Sequence, residues 1–262
     1  MVKIYDEEDF KGLRIAGKLA AETLDYITDY VKEGVSTLAL NDLCDEFIRA
    51  NGGISACIGY HGYPKSVCIS INHVVCHGIP SETKILKNGD ILNIDVTVIV
   101  NGYYGDTSRM YWVGEPSIKA KRLCDVAYNS MMLGIEQVKP NCFLGDIGHV
   151  IQNYAEGEGF SVVRDYCGHG TGKVFHDEPQ VLHFGKKGTG IQLQKGMVFT
   201  IEPMINAGDY RTTVSKLDGW TVTTKDKSLS AQYEHTMGVT DNGVEIFTLS
   251  PKGYSKAPYS KI

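Results

Sequence analysis

The sequence predicts an α/β (α+β) fold of two related halves, and three observations carry that expectation. Residues 31–53, VKEGVSTLALNDLCDEFIRANGG, align with residues 138–160, VKPNCFLGDIGHVIQNYAEGEGF, at a shift of 107. Self-similarity at a fixed offset marks a repeated structural unit. Each half also runs through two helical stretches before its strands, and no segment rich in Pro, Ser or charge separates the halves. A single domain over 1–262 is therefore expected, with internal halves at about 6–115 and 116–250 and pseudo-two-fold symmetry.

Residues 6–33 place apolar or small side chains at Phe10, Leu13, Ala16, Ala20, Leu24, Ile27 and Val31, with Asp6 as a cap and Gly34 as a stop. The counterpart helix is expected at roughly 117–138. In the aligned segments Leu40, Leu43, Cys44 and Phe47 fall on Ile147, Val150, Ile151 and Tyr154, so the stripe of a second helix repeats as well. Residues 91–113, ILNIDVTVIVNGYYGDTSRMYWV, read as two strands around an Asn101-Gly102 turn, a strong hairpin signal. MVFTIEPMIN (197–206) and YEHTMGVTDNGVEIFTL (233–249) supply strands to the second half.

Composition excludes several classes. A net charge of -5 without a Lys/Arg-rich run speaks against a general nucleic-acid binder, so no nucleic-acid substrate is expected. No run approaches the roughly 18 apolar residues of a membrane helix, and MVKIYDEEDF lacks the apolar stretch of a secretory signal. A cytoplasmic protein without a membrane partner is the expectation. Seven cysteines, an odd number with no CxxC pair, argue against a disulfide framework and read as reduced thiols.

The shift of 107 also carries Gly89 to Gly196, Ile94 to Ile201 and Asp95 to Glu202. Asp95, among strand formers in NIDVTV, is in an unusual place for a carboxylate. Asp106 follows the hairpin turn, and Glu234 opens a strand in the second half. The shift would put the partner of Asp106 at 213, so Glu234 requires an insertion of 21 residues. Two acids per half near one axis would repel by roughly 4 kcal/mol per pair at about 4 Å and an effective dielectric of ~20. Cations or protons must compensate.

The stretch CGHGTGKVFHDEP, 167–179, offers either a phosphate cradle or a metal-binding imidazole. The cradle GxxxxGK[ST] fails on spacing, because Gly168 and Gly172 have three residues between them and Lys173 is followed by Val174. HExxH fails too, since His169 and His176 are seven apart. With His169 as the imidazole, four carboxylates suit Mn, Fe(II), Co or Zn, and bridging carboxylates favour two metals.

The ordered set Asp95, Asp106, His169, Glu202 and Glu234, with VVCHGIP before it and GHGTGKVFHDEP within it, closely resembles type I methionine aminopeptidases over essentially the whole chain. The resemblance implies the pita-bread metallopeptidase fold, two halves of antiparallel sheet covered by helices around two divalent metal ions. It implies removal of the N-terminal methionine from nascent proteins and peptides with a small second residue, by a hydroxide bridging the metals. Asp95 would bind one metal, His169 and Glu202 the other, and Asp106 and Glu234 both. Glu202 would also take the proton of the attacking water.

By the same resemblance His77 and His176 would hydrogen-bond the substrate amide nitrogen and carbonyl oxygen. Cys57, Tyr60, His61, Tyr63, Cys68, Phe175 and Trp220 would line the methionine pocket. Asn72, Val74 and Ser230 would bind a monovalent cation. Expected partners are nascent polypeptide N-termini, with the ribosome as a candidate site of action, and a monomer is expected. Two other readings compete: an Xaa-Pro aminopeptidase of the same fold, whose usual extra N-terminal domain this chain has no room for, and an inactive binding homologue, which predicts lost ligands.

Overall fold

Asp6 opens the first helix. Its carboxylate accepts the Asp9 N–H at 2.9 Å, and the Asp9 carboxylate accepts the Asp6 N–H at 3.2 Å, a capping box. In the computed structural model, which describes residues 2–259, α1 (Glu7–Ile27) buries the anticipated stripe, with Leu13, Ala16, Ala20, Leu24 and Ile27 fully enclosed. The helix ends before Gly34. Thr28 turns its hydroxyl back to the Leu24 carbonyl at 2.9 Å, the chain tightens into a 3₁₀ turn at Thr28–Tyr30, and Val31 is extended.

The first half continues with α2 (Thr37–Ala50), β1 (Ile54–Ser55), β2 (Cys68–Ile71), β3 (Val74–Cys76), β4 (Ile91–Val100) and β5 (Tyr103–Trp112). The second half opens with α3 (Ile118–Ile135) and α4 (Leu144–Gly157), followed by β6 (Ser161–Val162), β7 (Gly168–Gly170), β8 (Asp177–Val181), β9 (Val198–Ile201) and β10 (Met204–Asn206). It closes with β11 (Thr212–Val214), β12 (Val222–Thr224), β13 (Ser230–Gln232), β14 (His235–Val239) and β15 (Val244–Ile246).

The repeat is visible in packing. Leu40, Cys44, Ile147 and Ile151 are fully buried, while Leu43, Phe47, Val150 and Tyr154 flank them half-buried. The helix pair α1–α2 covers a core with β4, and α3–α4 covers a second core with β9 and β14. Gly89 and Gly196 have φ of 92° and 87°, each two residues before its strand, so both halves need a left-handed turn at the same point.

β4 and β5 pair over ten residues, from Ile91↔Trp112 to Val100↔Tyr103, around Asn101 (φ 50°) and Gly102 (φ 81°). Positive φ at both central residues is the type I′ geometry that matches strand twist. β4 lies between β2 and β5, and β9 lies between β7 and β14 in the sheet β15-β14-β9-β7-β8. All pairings are antiparallel. The segment MVFTIEPMIN is two strands, since the ladder of β9 stops at Ile201 and β10 joins a different sheet. Pro203, lacking an N–H, marks the change and leaves Glu202 at the switch. The inserted stretch forms the β11–β12 hairpin, which pairs with β3 of the first half.

A buried ion pair fastens the hairpin to α1. Arg109 on β5 donates to Asp25, which also accepts the Ser250 hydroxyl at 2.7 Å and the Lys252 N–H at 3.2 Å. Asp25→Ala would strand a guanidinium that is 2 % exposed, so a loss of about 3–5 kcal/mol is expected in urea unfolding of the metal-free protein. A loss under about 1 kcal/mol would contradict that role.

Candidate metal centre

The site is assembled by register. Asp95 and Thr97 are two residues apart on β4 and so share a face. Across the hairpin Asp95 faces Ser108 and Thr97 faces Asp106, placing all four on one side. The Thr97 hydroxyl donates to Asp106 Oδ1 at 2.7 Å. Glu234 arrives from the second half, its N–H bonded to the Ser108 carbonyl at 3.1 Å and its carbonyl accepting the Thr107 hydroxyl at 2.7 Å.

Glu202, at the strand switch, accepts the Thr200 hydroxyl at 2.7 Å and the Gln232 amide at 3.1 Å, and its backbone N–H donates to His183 Nε2 at 3.1 Å. His169 on β7 lies with Nε2 3.5 Å from both Asp106 Oδ2 and Glu202 Oε1. Its Nδ1 is 3.1 Å from the Gly170 carbonyl; a proton held there leaves the Nε2 lone pair facing the acids. Asp106, His169 and Glu234 each offer one ligand atom, all within 4.8 Å of one another.

This arrangement is unfavourable without a cation. Burial pushes all four carboxylates up, Asp106 to about 7, and mutual repulsion among them raises Asp95, Glu202 and Glu234 further. Burial likewise pushes His169 down to about 4, so its ring is neutral and able to ligate. Asp95 Oδ1 is buried with no hydrogen-bond partner, a position that costs free energy unless something cationic meets it. An oxygen-rich donor set with one imidazole fits a divalent metal of the Mn, Fe, Co or Zn type.

The glycines of 167–179 allow close approach. A Cβ on Gly168 would lie 2.4 Å from the Thr200 carbonyl, and one on Gly170 2.0 Å from that of Glu178. Lys173 pairs with Asp9 at 2.6 Å.

The cluster opens into a cleft of about 700 Å³. His77 lies at its wall, with φ of 56° and its ring edge-on to Tyr166 and Trp220. Burial pushes it down to about 4. His176 lies tilted beside His169, centroids 4.1 Å apart; burial and then the neighbouring histidines push it down to about 3, and its Nδ1 is 2.8 Å from the Tyr60 hydroxyl. Cys57, Tyr60, His61, Tyr63, Cys68, Phe175 and Trp220 line the same cleft. Cys57, Tyr63, Cys68 and Phe175 form a buried apolar group with Ala56, against which Tyr60, Ile79, Ile99, Tyr104 and Trp220 pack.

Asn72, Val74 and Ser230 are absent from that lining. They meet elsewhere, where the Ser230 N–H donates to the Asn72 carbonyl at 2.8 Å and β3, paired with β12, packs near β13. The Ser230 hydroxyl is buried without a partner. Sequence reasoning missed the groups that hold the acids, Thr97, Thr200 and Gln232. The two threonines carried a signal, each being two residues from an acid in the sequence. Gln232, Tyr166 and Met204 carried none.

Residues 11–241 match the sequence profile of metallopeptidase family M24. The chain is 64% identical over 258 residues to the methionine aminopeptidase of Rickettsia prowazekii (strain Madrid E), covering 98% of this chain and 99% of that protein. The crystal structure of methionine aminopeptidase from Rickettsia prowazekii superposes with a TM-score of 0.94 at 65% identity, over 95% of this chain and 100% of that one. A prolidase from Pyrococcus horikoshii OT3 shares the fold, with a TM-score of 0.73 at 22% identity over 94% of this chain and 63% of that one.

Proposed function

The chain belongs to the type I methionine aminopeptidases of metallopeptidase family M24, and from that membership we propose how its cleft releases methionine. The observation that carries the reading is the apolar group around Tyr63, Cys68 and Phe175 beside the carboxylate–imidazole cluster in one cleft. An apolar pocket next to a metal-binding cluster suits a substrate whose first side chain is apolar and whose first peptide bond is cut.

Asp95 would hold one divalent ion, His169 and Glu202 a second, and Asp106 and Glu234 both. Ions bound there would supply the Lewis acidity that polarises the scissile carbonyl and acidifies water. Glu202, fixed by Thr200 and Gln232, takes the proton of the attacking water. His77 reaches the amide nitrogen of the scissile bond. With the Tyr60 hydroxyl, 2.8 Å away, donating to His176 Nδ1, the proton of that ring would sit on Nε2, from which it would donate to the substrate carbonyl oxygen. Cys57, Tyr60, His61, Tyr63, Cys68, Phe175 and Trp220 enclose the methionine side chain, whose thioether gains from aromatic contact.

In this reading the second substrate residue is small, Asn72, Val74 and Ser230 hold a monovalent cation, and the enzyme meets nascent N-termini in the cytoplasm as a monomer, with the ribosome as a candidate partner. Among the described residues no helix is long and apolar enough to cross a membrane.

Burying a methionine side chain contributes roughly 1.5–3 kcal/mol, so alanine in the first position should cost between about one and two orders of magnitude in kcat/KM. Norleucine, of the same length, should lose much less. Equal rates on Met-Ala-Ser and Ala-Ala-Ser would refute the pocket assignment.

A further inference from the structure

β8 is the outermost strand of its sheet, with a strand neighbour only in β7 among the described residues. Glu178, Gln180 and Leu182 project outward in alternation while Pro179, Val181 and His183 are buried. Glu178 and Gln180 line the metal-site cleft, and they also line a second groove of about 400 Å³. Beyond them that groove is apolar, with Leu144, Leu182, Phe184 and Ile191 in its wall. Leu182 and Ile191 are each 40% exposed.

The groove is a fixed part of the fold. The loop 185–191 is tied to the first turn of α4 by the Leu144 N–H to the Ile191 carbonyl, 3.0 Å, and the Gly145 N–H to the Thr189 carbonyl, 2.9 Å. A Cβ on Gly145 would lie 2.4 Å from the Lys186 carbonyl, so the glycine lets the loop close on the helix.

Its distance from the chemistry is set by register. His169 and Gln180 are cross-strand partners, so β8 lies one strand, about 4.8 Å, from the backbone that carries the imidazole of the cluster. An extended chain advances roughly 3.3 Å per residue, so about two residues beyond the scissile bond bring a polypeptide to Gln180 and the next one or two into the groove.

On the proposed methionine release, from which this follows, we infer that the substrate polypeptide runs along the outer edge of β8 and places an apolar side chain of its fourth or fifth residue between Leu182 and Ile191. The two cavities share Glu178 and Gln180 in their walls, which favours the substrate's own chain as the occupant. The enzyme thereby distinguishes polypeptides by sequence well past the second position.

The test compares Met-Ala-Ser, Met-Ala-Ser-Gly-Gly-Gly and Met-Ala-Ser-Leu-Leu-Gly with the metal-loaded protein and its Leu182→Ser and Ile191→Ser variants. The parent should cleave the leucine hexapeptide with a kcat/KM at least about fivefold above the glycine one, the effect of partly burying one apolar side chain. Each variant should lose most of that preference and cleave Met-Ala-Ser within about twofold of the parent, which also reports intact folding. Leu182→Met should retain the preference. Equal rates on both hexapeptides in the parent, or variants that slow the tripeptide as much as the leucine hexapeptide, overturn the groove assignment. No methionine from Met-Ala-Ser with the parent would instead overturn the activity, and the groove with it.

Discussion

Alanine at Asp106 or at Glu234 is expected to abolish methionine release and to strip the bound metal. Both carboxylates are buried, at 3 % and 2 % exposure, and both offer an oxygen within 4.8 Å of the His169 ligand atom. Each is proposed to touch both ions, so either loss removes two contacts at once. A metal site supplies several kcal/mol of transition-state stabilisation, and each 1.36 kcal/mol is tenfold, so the fall should exceed about a thousandfold. The fold should survive, because removing one of four mutually repelling buried acids relieves strain in the metal-free protein. Elemental analysis beside urea unfolding checks both points. Unchanged metal content in a folded variant would remove the bridging assignment.

His77→Ala and His176→Ala are expected to lower kcat by about a hundredfold or more, with metal content near the parent level. Losing one donor that meets developing charge typically costs about 3–4 kcal/mol. Neither ring is among the groups that could jointly ligate with Asp106 among the described residues, and both are held neutral by burial, so each can offer an N–H near neutral pH. His77 has positive φ, so His77→Asn is the better control, asparagine tolerating the left-handed region. Metal lost from a folded variant would make that histidine a ligand.

Much of this was legible because local chemistry and global fold agree. The α1 stripe, the Asn101-Gly102 hairpin and the matched glycines before β4 and β9 are local signals that the tertiary structure keeps. Asp95 stood out because a carboxylate amid strand formers has no local reason to be there. The end of α1 departs from the stop that Gly34 signals, because the Thr28 hydroxyl and the 3₁₀ turn end the helix at Ile27. Pro203 divides MVFTIEPMIN between two sheets, a break that the apolar run by itself does not place. Gln232 and Tyr166 reach the site through contacts far apart in sequence, which no periodicity encodes.

The most direct test of the central claim is a side-by-side assay of Met-Ala-Ser, Ala-Ala-Ser, Met-Lys-Ser and Arg-Pro-Pro with the protein loaded with Mn²⁺, before and after a chelator. Release of methionine from Met-Ala-Ser, poor cleavage of the other three, loss of activity with the chelator and its return with added Mn²⁺ are the expected results. Preferential cleavage of Arg-Pro-Pro would contradict the account in favour of an Xaa-Pro peptidase, and no cleavage with Mn²⁺, Co²⁺ or Fe²⁺ would leave a binding protein on a peptidase fold.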